Sequence, residues 1–184
     1  AWAYLQGEQF EADKKKGIDL MEKAANAGNK TAASNMSLAY RKGDGVEVNI
    51  EKSIEWAIKA AELGDDDRIF QYAVAYFNGE DPVTEDKAKA VEFFVLAANA
   101  GSSTAMENLG VCYNNGYGVA LDKNKAIEWF EKAAKEGGFK KAMDNLEDLY
   151  PEVDASTSQT RYFELVKAVA DDGYYEGMVR THFC

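Results

Sequence analysis

The sequence predicts an all-α fold built as an array of helix-turn-helix repeats of about 36 residues, and three observations carry that prediction. Glycines recur as Gly28, Gly64, Gly101, Gly137 and Gly173, at steps of 36, 37, 36 and 36. Tyrosines recur in register with them as Tyr4, Tyr40, Tyr76, Tyr113 and Tyr150, at steps of 36, 36, 37 and 37. A small-residue phrase precedes each glycine: Lys23-Ala24-Ala25, Lys59-Ala60-Ala61, Leu96-Ala97-Ala98, Lys132-Ala133-Ala134 and Ala168-Val169-Ala170. Two residue types holding one period mark an internal repeat. Only two prolines in 184 residues leave room for helix nearly everywhere.

One unit, residues 104–137, sets the plan for the rest. Ala105, Leu109, Gly110 and Tyr113 place one apolar stripe on a first helix, with small residues where a neighbour can approach closely. Asn115-Gly116-Tyr117-Gly118-Val119 breaks that helix, and Gly116 is placed to end it in the left-handed conformation. Asp122 is the predicted N-cap of a second helix, with Lys125 three residues on. Ala126, Trp129, Phe130, Ala133 and Ala134 form the buried stripe of that helix. Glu128, Glu131, Lys132 and Lys135 are left for water.

The other elements follow in chain order. Residues 1–28 form a half unit, with Trp2 to Gly7 as the tail of a first helix and a second helix from about Asp13 to Ala27. Residues 29–64 repeat the plan with Ala32, Met36, Tyr40, Gly43, Gly45, Val46, Lys52, Ile54 and Trp56. Residues 65–101 repeat it with Tyr72, Ala73, Tyr76, Gly79, Lys89, Ala90, Phe93 and Phe94. In that unit Glu80-Asp81-Pro82 replaces the Gly-x-Gly-Val turn, so its loop takes another path. Residues 138–173 keep Ala142, Leu146, Tyr150, Phe163, Leu165 and Val169, but lose both turn glycines and carry Pro151 directly after the tyrosine. Residues 174–184 open a further half unit. A single pair cannot bury its own stripe, so stability is close to a sum over stacked neighbours.

The period and turn resemble the Sel-one-like repeats, relatives of the 34-residue tetratricopeptide unit. Residues 105–137 follow that family's pattern of Ala-x3-Leu-Gly-x2-Tyr, Gly-x-Gly-Val, Asp-x2-Lys-Ala, Trp-Phe and Lys-Ala-Ala-x2-Gly at nearly every fixed position. The match weakens at Gly79 to Pro82 and after Tyr150. The resemblance implies a right-handed superhelical solenoid of antiparallel helix pairs, running as one domain over 1–184, and adaptor or scaffold work in protein complexes. Some secreted bacterial members carry a cysteine pair in every repeat; this chain has only Cys112 and Cys184, expected as two mostly buried free thiols rather than a disulfide.

Composition narrows the function classes. Hydrophobic content of 46% and charged content of 29% are ordinary for a folded chain. No run reaches the roughly 18 apolar residues of a membrane span. A net charge of −11 argues against nucleic acid, whose phosphates call for Lys and Arg; it serves solubility first, and otherwise suits a partner of basic character. The chain does not begin with Met and opens in mid-repeat, which points to a mature form or an excised piece; compartment and oligomeric state have no sequence signal.

No catalytic, cofactor or metal site is expected. His182 is the only histidine and sits in the terminal half unit. There is no Walker loop, no paired-His motif and no Cys-x-x-Cys, and the carboxylates fall on solvent faces. Gly116-x-Gly118 follows a helix rather than a strand, so it is not a dinucleotide loop. Trp56, Trp129 and the tyrosines fall at core spacing, with the tyrosine hydroxyls reaching backbone or water. Asp65-Asp66-Asp67 is placed to cap and start a helix through its dipole.

The predicted function is a non-enzymatic scaffold or adaptor that binds a peptide or protein surface on its concave side. Its candidate contacts come from the first helices. The position three after each leading residue reads Asn35, Gln71, Asn108 and Asn145, an amide in every repeat. An amide both donates to and accepts from a peptide backbone. Further along come Ala39 with Lys42, Ala75 with Asn78, Cys112 with Asn115, and Leu149. The candidate set is therefore Asn35, Lys42, Gln71, Asn78, Asn108, Asn115 and Asn145. Alternatively the amides serve folding alone, and the chain is a structural or regulatory segment whose ends, near Trp2 and Met178, stack on further repeats or domains.

Overall fold

The computed structural model describes the backbone of residues 8–154 and 158–171, and the side chains of 14–138, 140–154 and 159–169. The elements at Trp2 to Gly7 and Tyr174 to Cys184, with His182, Gly173, Met178 and Tyr4, lie outside those residues. Among the described residues all regular structure is helical. The chain divides into two compact units, Ala1–Gly101 and Ser102–Cys184.

Unit 1 contains α1 (Glu8–Asn26), α2 (Lys30–Lys42), α3 (Ile50–Glu62), α4 (Asp67–Asn78) and α5 (Lys87–Asn99). Unit 2 contains α6 (Ser103–Asn115), α7 (Lys123–Lys135), α8 (Phe139–Asp154) and α9 (Ser158–Asp171). The first helices of the repeats are α2, α4, α6 and α8, and each packs against the second helix that follows it. The helix foreseen from Asp13 is already formed at Glu8.

The turn chemistry explains why each pair closes alike. Gly43, Gly79 and Gly116 end α2, α4 and α6 with φ of 75°, 70° and 70°, a region a side chain enters only with strain. Each donates its N–H to the carbonyl four residues back: Ala39, Ala75 and Cys112. The chain then returns, and the next N-cap donates its own N–H to the tyrosine carbonyl: Asn49 to Tyr40, Asp86 to Tyr76 and Asp122 to Tyr113, at 2.8–2.9 Å. The caps Asn49, Asp86 and Asp122 accept from the N–H of Lys52, Lys89 and Lys125 at 2.9–3.0 Å. The Glu80-Asp81-Pro82 loop does take another path, with a cis Asp81–Pro82 bond, yet it meets the same two anchors. It needs one more residue to do so, which accounts for the 37-residue step between Gly64 and Gly101.

The last of the first helices, α8, ends differently. Val153 stands where a turn glycine would, so α8 runs through Pro151 to Asp154, 16 residues against 13 in α6. Asp66 occupies the N-cap position of α4, but its backbone is helical and its side chain makes no capping bond. The acidic run there acts through the helix dipole alone.

The cores are small-residue seams. In unit 1, Ala25, Ala32, Ala33 and Ala60 form one buried cluster, and Ile18, Met36 and Ala39 another; Trp56 packs against both. In unit 2, Phe130 lies against Gly110: a Cβ built on that glycine would meet the ring at 2.5 Å, so only glycine fits. Phe163, expected inside, is 55% exposed, and the core of the last pair is held by Leu165 and Val169 instead.

Candidate partner-binding face

The tyrosine column is more than core. Tyr76 and Tyr150 are buried, whereas Tyr40 and Tyr113 are half-buried. Each ring carries a cation: Lys52 over Tyr40 at 5.3 Å, Lys89 over Tyr76 at 4.6 Å, Lys125 over Tyr113 at 5.4 Å and Arg161 over Tyr150 at 5.5 Å. The three lysines are the residues whose N–H the N-cap accepts, so one turn fixes cap, cation and ring together. Such contacts contribute about 0.5–1 kcal/mol at exposed sites.

The hydroxyls of Tyr76 and Tyr150 meet side chains, not backbone. Lys89 Nζ donates to Tyr76 Oη at 2.9 Å, and Tyr150 Oη donates to Glu131 Oε1 at 2.8 Å. Arg161 Nε also donates to Glu131 Oε1, at 2.7 Å. Glu131, assigned to water by its spacing, is thus a half-buried hub tying α7, α8 and α9. Burial and the Glu131 carboxylate together push the Tyr150 hydroxyl well above its ordinary range. Trp56 and Trp129 are half-buried rather than interior. Trp56 packs against both buried clusters of unit 1, and each of the two rings carries a lysine, Lys59 at 5.0 Å and Lys132 at 4.2 Å.

The seven candidate side chains all lie on the first helices, four in unit 1 and three in unit 2. Asn35, Lys42, Gln71, Asn78, Asn115 and Asn145 are exposed, and Asn108 is half-buried. Their hydrogen bonds divide them. In unit 2 each amide nitrogen is turned back onto its own helix: Asn108 donates to the Thr104 carbonyl at 2.8 Å, Asn115 to Val111 at 2.9 Å and Asn145 to Lys141 at 2.8 Å. This orients the amide oxygen outward as an acceptor. In unit 1, Gln71 shows the reverse. Its Oε1 accepts from Arg41 Nη1 at 3.4 Å and Arg68 Nη1 at 3.2 Å, leaving its amine as the outward group. Asn78 donates to Glu80 at 2.8 Å.

The apolar positions thought to accompany the amides face the other way. Ala39, Ala75, Cys112 and Leu149 are 6%, 7%, 1% and 4% exposed. The side chains beside the amides are one residue earlier: Leu38, Val74 and Val111, all half-buried. The spacing i+3 keeps them on the amide face, whereas i+4 turns into the core at this point of the helix. Each of three first helices therefore presents a polar–aliphatic–polar column: Asn35-Leu38-Lys42, Gln71-Val74-Asn78 and Asn108-Val111-Asn115. On α8 the same column reads Asn145-Asp148-Glu152, so the aliphatic becomes an acid.

Cys112 is a free, buried thiol, and burial pushes it up to about 11, far from the thiolate needed for nucleophilic chemistry at neutral pH. Among the described residues no group of His, Cys, Asp and Glu could hold a metal ion, and no helix is long and apolar enough to cross a membrane.

Comparison with known proteins follows the same outline. The Sel1 repeat model matches residues 1–29, 31–65, 69–102 and 103–138, so α8 and α9 lie beyond the matched segments. A Sel1 repeat protein from Oxalobacter formigenes, of known crystal structure, is 34% identical with a TM-score of 0.56 over 72% of this chain and 98% of its own. A protective antigen of uropathogenic Escherichia coli strains that displays an SLR fold is 29% identical, also with a TM-score of 0.56. The alignment covers 85% of this chain and 33% of the antigen, so the chain spans about a third of that protein. No curated protein matches the chain. With four family segments in register with the glycine comb, the chain belongs to the Sel1 repeat family, whose repeats generally serve protein–protein interaction.

Proposed function

We propose that this chain is a non-enzymatic scaffold that holds an extended peptide segment of a protein partner on the exposed columns of its first helices. The supporting observation is the recurrence of one column, polar–aliphatic–polar, on α2, α4 and α6. An extended peptide offers alternating backbone groups and side chains. Amides at both ends of the α4 and α6 columns, and at the start of the α2 column, suit the backbone, and Leu38, Val74 or Val111 suits an apolar side chain. Burying the aliphatics contributes about 25 cal/mol per Å2 of apolar surface removed from water.

In unit 2 the column favours a basic segment. The amide oxygens of Asn108, Asn115 and Asn145 face outward, and Asp144 and Asp148 flank Asn145 on α8. Lysine, arginine and backbone N–H groups on the partner supply the donors that such a face lacks. The test is binding of a fluorescent lysine-rich peptide to the parent chain and to an Asn108→Ala, Asn145→Ala double variant. A loss of about tenfold or more in affinity with unchanged helicity supports the reading. Loss of helicity in step with binding would leave the amides a folding role only.

A further inference from the structure

Unit 1 holds a cluster of opposite sign. The leading position of the first helix is alanine in three repeats, Ala32, Ala105 and Ala142, and all three are buried. On α4 that position is Arg68. A guanidinium cannot stay in a seam built for a methyl group, so it reaches out along the helix to the amide column. Its Nη1 donates to Gln71 Oε1 at 3.2 Å, while its Nε is buried without a partner. Arg41, at the end of α2, brings Nη1 to the same oxygen at 3.4 Å and lies over the Tyr72 ring at 5.8 Å.

Two guanidiniums therefore converge on one neutral acceptor. Among the described residues neither forms an ion pair, although Asp65, Asp66 and Asp67 adjoin Arg68 in sequence. Two adjacent like charges repel, and a single amide oxygen does not neutralise them. A carboxylate does, because its two oxygens match the forked N–H groups of arginine. The cluster is also held in place before any ligand arrives. The Tyr72 ring supports Arg41, and the Nε of Arg68 is buried. Such pre-organisation lowers the entropy lost on binding. The rest of α2 agrees in sign, with Lys30, Arg41 and Lys42 and no acid, in a chain whose net charge is −11.

We propose that Arg41, Arg68 and Gln71 form a site for a side-chain carboxylate on an acidic peptide segment of the partner. A peptide is favoured over a free anion because the half-buried Val74 adjoins Gln71 on the same column and offers apolar contact to the residues flanking the carboxylate. This site stands apart from the amide column of unit 2, which suits the opposite charge, so either can fail without the other.

The experiment titrates a fluorescent peptide of six glutamates flanked by glycines, its glutamine counterpart, and inorganic phosphate as competitor. The variants are Arg68→Ala, which restores the residue of the other three repeats, and Arg41→Gln. Each is expected to weaken the acidic peptide about tenfold or more and to flatten its salt dependence. The thermal midpoint of Arg68→Ala should match or exceed the parent, and its binding of the lysine-rich peptide should be unchanged. Binding of the glutamine peptide equal to that of the glutamate peptide would overturn the proposal. So would acidic-peptide affinity within twofold of the parent in Arg68→Ala, binding of phosphate without binding of the peptide, or self-association that accounts for the whole arginine-dependent signal.

Discussion

The repeats at 29–64 and 102–137 share a backbone plan and solve the same packing problem in opposite ways. In the second, Gly110, Ala126 and Phe130 meet: a large ring fills the seam, and the facing helix gives up its side chain to admit it. In the first, the equivalent residues are Ser37, Ser53 and Ala57. The ring is gone, the glycine has a side chain, and the gap closes with a polar knot. Tyr72 Oη, from the next first helix, donates to Ser53 Oγ at 2.7 Å, and Ser53 Oγ donates to the Ser37 carbonyl at 2.6 Å. The Ser37 and Ser53 hydroxyls lie 3.1 Å apart. Ser53 thus uses its one proton and both acceptor sites, so the burial of three hydroxyls leaves none unsatisfied. The comparison teaches that a repeat fixes total volume and backbone path, while the chemistry filling the seam varies.

The largest expected effect comes from the ring. Phe130→Ala should destabilise by about 3–5 kcal/mol in chemical denaturation, since the facing helix is already at glycine and cannot fill the space. Next, Ser53→Ala strands the Tyr72 and Ser37 hydroxyls and should destabilise by about 1–3 kcal/mol. Substituting phenylalanine at position 72 at the same time should recover part of that loss. If Ser53→Ala is neutral, the knot is not what closes the seam in unit 1.

Gly110→Ala sharpens the comparison directly. Alone it drives a methyl into the Phe130 ring and should destabilise by about 1–3 kcal/mol. In the Phe130→Ala background the same change should be neutral or stabilising, because the clash is gone and alanine favours helix. Additive losses across this cycle would mean the two residues do not exchange volume. Smaller again, Lys52→Met and Lys125→Met should each lose about 0.5–1 kcal/mol if both rings use their cations alike. Unequal losses would separate the two turns.

The smallest effect concerns Glu107, where unit 1 has Ser34. Burial raises its carboxyl above the ordinary 4.5, and Lys141, at 4.0 Å, only partly opposes this. A raised folded-state value means the folded chain holds the proton more tightly than the unfolded chain. Stability from this group is therefore lost as pH rises from 4.5 through the folded-state value. Glu107→Gln should remove that decline and raise the midpoint at pH 7 by on the order of 1 °C. A midpoint that falls instead would show that the Lys141 pair outweighs the burial.

Much of the fold was legible because glycine and tyrosine have position-specific jobs. The comb glycines at 28, 64, 101 and 137 take positive φ, as do the turn glycines at 43, 79 and 116, and the tyrosine carbonyl anchors the returning chain at 40, 76 and 113, so both combs survive where everything between them changes. The site was legible in part. Of the four amides, Asn35, Gln71 and Asn145 are exposed and Asn108 is half-buried. Its aliphatic neighbours were misplaced by one residue, because i+3 and i+4 both lie near one face and only packing decides which is covered. Arg68 was missed: its signal was a charge where the other three repeats have alanine, but its meaning needed Arg41, which lies on another helix.

By itself the sequence determined the period, the turns and the helix stripes, since these follow from local sterics and spacing along one chain. Only the tertiary structure decided which cation sits on which ring, that Glu131 ties three helices, and that two arginines share one amide. Those are meetings of side chains far apart in sequence, and they depend on how neighbouring helices rotate and settle to fill a common volume.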